Sequence, residues 1–169
     1  MKNLFLIAII VLGFTVNSFA QATATATASA TIIAPITITK AVDMNFGNVA
    51  VGATLGTVVL DPAGLRTKTG GVTLPAVAGT VTAASFNVTG VGTSAYSITI
   101  PTTALTVTSG VNTMTVNAFT STPTVATGGV LTAGGTQSIT VGATLNVGAT
   151  QVAGVYLSAT PFDVTVNYN

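Results

Sequence analysis

Apolar and polar positions alternate along most of the chain, and nowhere more strictly than in Gln21–Thr39. Every even position there is Ala or Ile: Ala22, Ala24, Ala26, Ala28, Ala30, Ile32, Ala34, Ile36 and Ile38. The odd positions are Thr or Ser until Ile33 and Pro35 interrupt them. Period two on an extended chain separates an apolar face from a hydroxyl face. At about 3.3 Å per residue, Ala22–Ile38 would reach roughly 55 Å, against about 17–20 Å for an ordinary strand. The stretch must therefore bend at Pro35 or project beyond its own domain. Its apolar face is graded, shallow over Ala22–Ala30 and deep at Ile32, Ile36 and Ile38. Burying the Ala part would contribute only a few kcal/mol, at about 0.8 kcal/mol per methyl-sized group. The Ile32–Ile38 part is expected to belong to the core, and the Ala part to be movable.

The rest of the chain reads as further short strands, and no window has the three-four spacing of an amphipathic helix. Met44, Phe46 and Val49 precede an expected turn at Gly52. Val58 and Leu60 form a strand that stops at the turn pair Asp61-Pro62. Gly70-Gly71 reads as a two-residue hairpin turn. Ala84, Phe86 and Val88 share one face, and the offset from Val81 and Ala83 suggests a bulge. Tyr96–Ile100, Leu105–Val107, Asn112–Phe119, Ile139–Val141, Leu145–Val147 and Phe162–Tyr168 complete the set, with a Gly-rich loop over Ser121–Thr136. Val-Gly-Ala-Thr recurs at Val51, Val141 and Val147 without a fixed period, which suggests reused turns. Antiparallel sheets with one buried face, in a sandwich or barrel, account for this pattern.

Residues 1–20 read as a cleaved secretory leader: Lys2, the apolar run Leu4–Phe14, then Ser18-Phe19-Ala20. Gln21–Asn169 is then one domain, with 21–31 as a candidate projecting N-terminal strand. No Cys follows the leader, so lipid attachment there is excluded and no disulfide braces the exported protein. No later run reaches the length of a membrane-spanning helix. The mature chain balances Lys40, Arg66 and Lys68 against Asp43, Asp61 and Asp163. That balance gives no electrostatic case for nucleic acid or an anionic membrane.

Four blocks carry a family likeness. Met44-Asn45-Phe46-Gly47-Asn48-Val49 follows the opening strand. Gly56–Gly64 and Gly70–Leu74 come next, then Val141–Val147 running on through Gly154-Val155-Tyr156 to Val164–Tyr168. In this order they resemble the bacterial family catalogued as domain of unknown function 4402, over essentially all of the mature chain. The resemblance implies an exported immunoglobulin-like sandwich akin to fimbrial subunits, and it brings no catalytic residues. Leu157–Pro161 departs from it as an insertion-like segment before the last strand. Pattern and resemblance together predict an all-β fold, an antiparallel immunoglobulin-like or pilin-like sandwich of about 8–10 strands.

The chemistry is sparse. Only 4% of residues are charged, and His, Cys, Glu and Trp are absent. Catalytic triads and the common zinc sites cannot be assembled. Asp61 reads as a turn residue, Asp163 as outward-facing on its strand, and Asp43 as solvating a loop. Arg66 and Lys68 share a strand face, where charge keeps an edge from pairing wrongly. Gly128–Gly135 lacks the Lys-Ser/Thr of a phosphate loop. The expected protein is a non-enzymatic exported structural or adhesive subunit without catalytic, metal or cofactor residues. It would self-associate, or join related subunits, by donating a strand whose face is Ala22, Ala24, Ala26, Ala28, Ala30 and Ile32. The alternative is a monomeric secreted sandwich that binds a carbohydrate or protein and pairs this strand in its own sheet. An outer-membrane barrel, an ice-binding surface and a functional amyloid fit less well: aromatics are 6%, the Thr rows lack a repeat, and Gln/Asn ladders are missing.

Overall fold

The structure is a computed structural model that describes residues 21–169; the leader at 1–20 lies outside the described residues. The chain divides between Ile32 and Ile33. In the first unit, residues 21–32 carry no strand and their side chains are exposed.

The second unit, Ile33–Asn169, is all β, and there is no helix among the described residues. Its strands are β1 (Thr37–Val42), β2 (Ala50–Leu60), β3 (Arg66–Thr73), β4 (Ala84–Thr89), β5 (Ala95–Thr99) and β6 (Leu105–Ser109). They continue with β7 (Asn112–Thr122), β8 (Gly129–Val130), β9 (Thr136–Val147), β10 (Leu157–Ser158) and β11 (Thr165–Tyr168). All pairings are antiparallel. Eight strands form one sheet, and β11-β5-β8 form a second. Inward residues of both sheets, among them Val88, Ile139 and Val141 from the first and Tyr96, Ile98 and Val166 from the second, belong to one core cluster. The fold is thus sandwich-like, as the alternation predicts.

The long strand β9 organises the larger sheet. On one edge it pairs β7, and on the other it pairs β4 over Thr136–Val141 and then β2 over Ala143–Val147. Gly142 sits at the change of partner. A Cβ there would collide with the carbonyl oxygen of Leu60, where β2 arrives. Opposite this point β7 carries one extra residue between Asn117 and Thr120, with Ala118 at φ 49°. The bulge lets β7 follow the bend in β9.

Four expectations change. Gly70-Gly71 is not a turn; both glycines lie inside β3. The register of β2 slips between Val51 and Gly56, so its backbone bulges towards them. A Cβ on Gly70 would meet the Leu55 carbonyl oxygen, and one on Gly71 that of Thr54. Gly52 and Gly142 do not end strands either, so two of the three Val-Gly-Ala-Thr copies are strand interior. The bulge expected near Ala84 is absent from β4, because Val81 and Thr82 lie before it and only Thr82 pairs, in a bridge to Asn45. Finally, Ile32 is 96% exposed and Ile33 53%, so the core begins only with Ile36 and Ile38. Pro35 has no N–H to donate and holds Ala34 out of the helical region, which leaves β1 to start at Thr37. The turn at Asp61 is as expected: its carboxylate Oδ1 accepts from the Leu65 amide at 2.8 Å.

Candidate functional site

The second unit contains an open apolar groove of about 940 Å³, near the top of the range for ligand sites. Its floor consists of inward side chains at one end of the larger sheet: Phe86 of β4, Leu105 and Val107 of β6, Met114 of β7, and Leu145 and Val147 of β9. These residues point inward because each strand alternates. The three-stranded sheet contributes none of the lining residues. Two irregular segments form the walls instead.

The first wall is 42–51. It is held from behind by the reciprocal backbone bonds between Asn45 and Thr82, at 2.8 and 3.0 Å. The Thr82 hydroxyl donates to the Asp43 carbonyl at 2.8 Å. The Arg66 guanidinium donates to the carbonyls of Phe46 and Asn48. Arg66 therefore does more than discourage mispairing: it fastens the loop that carries Met44, Phe46 and Val49. Lys68 remains exposed on β3, which pairs only with β2.

The second wall is 151–158. The Tyr156 hydroxyl donates to the Val152 carbonyl at 2.7 Å and accepts from Gln151 Nε2 at 2.8 Å. Gln151 Nε2 also donates to the Thr113 carbonyl at 3.2 Å, and the Thr150 amide reaches the Gly52 carbonyl at 3.0 Å. Leu157 and Ser158 form β10 and pair with β6. Leu157 and Ser158, from the stretch read as insertion-like in the sequence, are thus part of the groove wall. Phe162 packs at its end, with its ring 6.3 Å from Phe86 and 5.1 Å from Phe119.

The mouth is unusual in what it leaves in water. Val42, Val51, Val152, Val155 and Leu157 line the groove and are all exposed, Val155 at 76% and Leu157 at 67%. Exposed large apolar side chains grouped along one groove are the kind of surface that interaction sites use. The charged residues among the lining, Lys40 and Asp43, pair with each other at 2.7 Å. Among the described residues no group of three His, Cys, Asp or Glu could hold a metal ion. Nor is there among them a helix long and apolar enough to cross a membrane.

Each residue of the expected donating face, Ala22, Ala24, Ala26, Ala28, Ala30 and Ile32, lies in the first unit, exposed and outside any strand. The groove was not anticipated. Its available signal was the recurrence of large apolar residues in stretches too irregular for strands, at Met44–Val49 and again at Val152–Leu157. Tyr96 is fully buried, and its hydroxyl donates to Gln137 Oε1 at 2.6 Å. The Tyr168 hydroxyl accepts from the Val91 amide at 2.7 Å and donates to the Ala34 carbonyl at 3.3 Å. The hydroxyls of Tyr96, Tyr156 and Tyr168 are thus all engaged in holding the fold.

The family model described as "Domain of unknown function (DUF4402)" matches residues 36–168, a span that takes in every strand and leaves out 21–35. No curated protein and no solved structure matches the chain.

Proposed function

The chain belongs to the DUF4402 family, and we propose that it is a non-enzymatic, exported structural subunit that self-assembles by strand donation. The observation that carries this reading is the segment Ala22–Ile32. It alternates strictly, bears no charge, and in the structure is exposed and without a strand. A free strand of this kind gains main-chain hydrogen bonds on a sheet edge while its alternate side chains fill pockets. Export is supported by the leader-like residues 1–20. The absence of His, Cys and Glu from the sequence supports a non-enzymatic role.

The test is removal of residues 21–30 from the exported protein. Large heat-resistant oligomers should disappear while Ile33–Asn169 still folds. Unchanged assembly rejects the reading. A truncated monomer that unfolds supports instead the secreted monomer, with the segment paired in its own sheet.

A further inference from the structure

We infer that the groove between 42–51 and 151–158 is the acceptor site for residues 22–32 of a second copy of this chain, so that copies join head to tail. The inference rests on the strand-donation reading above and specifies where the donated strand goes.

β1 runs antiparallel to β4, with Thr37 opposite Thr89 and Val42 opposite Ser85. Thr89 in turn lies opposite Thr136, the first residue of β9. Ala34 is tied to this end by the Tyr168 hydroxyl, which also takes the Val91 amide. The chain therefore enters the domain at the pole marked by Ala34, Thr89, Thr136 and Tyr168. The groove lies at the other pole, where Val42 ends β1, Ala84 begins β4 and Leu145 and Val147 end β9. From Thr136 to Val147 is roughly 36 Å along the strand.

Chain direction points the same way. Residues 21–34 contain no Gly, Pro, Asn or Asp; of the usual turn residues they hold only Ser29, whose hydroxyl supports a turn more weakly. Pro35 further confines Ala34 to an extended conformation. To reach its own groove the segment would have to reverse, and little in its sequence favours a reversal. A neighbour's groove requires none. A donor at one pole and an acceptor at the other make a heterologous contact that repeats into an open filament.

The donor face is Ala at five successive alternate positions, while the groove and its mouth carry the large side chains. Small residues let the donor backbone lie close to the floor, and Val42, Val51, Val152, Val155 and Leu157 then close over it. The Thr and Ser face stays in water. Strand edges are at hand: β1 pairs only with β4, and β10 occupies the outer edge of β6 only at Val107 and Thr108.

Two full-length variants test the assignment. Ala26→Asp/Ala28→Asp disables the donor and leaves the groove intact. Val152→Asp/Val155→Asp alters exposed residues at the mouth and leaves the donor intact. Each alone should be monomeric by light scattering, and an equal mixture should give 1:1 dimers and nothing longer. If Val152→Asp/Val155→Asp assembles like the unmodified chain while Ala26→Asp/Ala28→Asp does not, the groove assignment is overturned and strand donation stands. If neither substitution changes the size distribution, strand donation itself falls. A mixture that stays monomeric overturns the head-to-tail pairing. The chain has no cysteine, so Ala28→Cys/Val155→Cys reports directly: a disulfide between chains supports the assignment, and one within a single chain overturns it.

Discussion

The guanidinium of Arg66 donates to the carbonyl oxygen of Phe46, twenty residues earlier, at 2.6 Å, and the same nitrogen reaches the Asn48 carbonyl at 2.9 Å. One side chain on β3 thus anchors a groove wall that has little regular pairing of its own. Hydrogen bonds to charged groups contribute about 1.5–3 kcal/mol. Arg66→Ala should lower stability by about 2 kcal/mol in urea denaturation and open residues 44–49 to proteolysis before global unfolding. Arg66→Lys should recover part of the loss, since an ammonium can still donate to one carbonyl.

Gly142→Ala places a methyl group against the Leu60 carbonyl, which is backbone and cannot swing aside. Overpacking of this sort costs about 1–3 kcal/mol. The expected result is a loss near the top of that range, with hydrogen exchange accelerating first in β2 and the second half of β9.

Ala118 occupies left-handed backbone at φ 49° in the β7 bulge and is exposed. A non-glycine residue there is strained by roughly 1–2 kcal/mol. Ala118→Gly relieves the strain at some cost in unfolded-state entropy. A net gain of up to about 1 kcal/mol is expected, seen as a higher denaturation midpoint with an unchanged slope.

Burial pushes the Tyr96 phenol above its ordinary value. An unfolded chain releases this proton near pH 10, whereas the folded protein holds it to higher pH. The stabilisation is therefore full below about pH 10 and is lost as pH rises beyond it. Tyr96→Phe should cost about 1 kcal/mol at neutral pH, from the lost bond to Gln137. It should also flatten the alkaline decline measured by denaturation between about pH 8 and pH 11.

Within Ile33–Asn169 most strands were legible from alternation, whereas Ala22–Ile32, the most strictly alternating stretch, carries no strand. Ala84–Val88, Tyr96–Ile98, Leu105–Val107 and Met114–Val116 emerge with the faces expected of them. Glycine was where the reading went astray. At Gly142 it answers a close backbone approach from a strand distant in sequence, and at Gly70 and Gly71 one from the bulge of the neighbouring β2, while the same residue type signals turns. Only the register of β2 against its neighbours separates the two. Ile32 looked like core because it shares the parity of Ile36 and Ile38, and parity carries no information about where pairing begins. The groove was hidden for a related reason. Its floor comes from four strands, and its walls from segments about a hundred residues apart in sequence; periodicity reports none of these neighbours.

The antiparallel match of β1 with β4 has a mechanical consequence. Tension applied through residue 33 along the chain runs parallel to β1, so it shears the five register pairs from Thr37–Thr89 to Val42–Ser85 together instead of peeling them singly. The side-chain contact between Thr37 and Thr89, 2.6 Å apart, takes load at the same end as the Tyr168–Ala34 bond. A subunit joined to its neighbour through residues 22–32 would load these pairs in shear, and would do so without a single covalent cross-link.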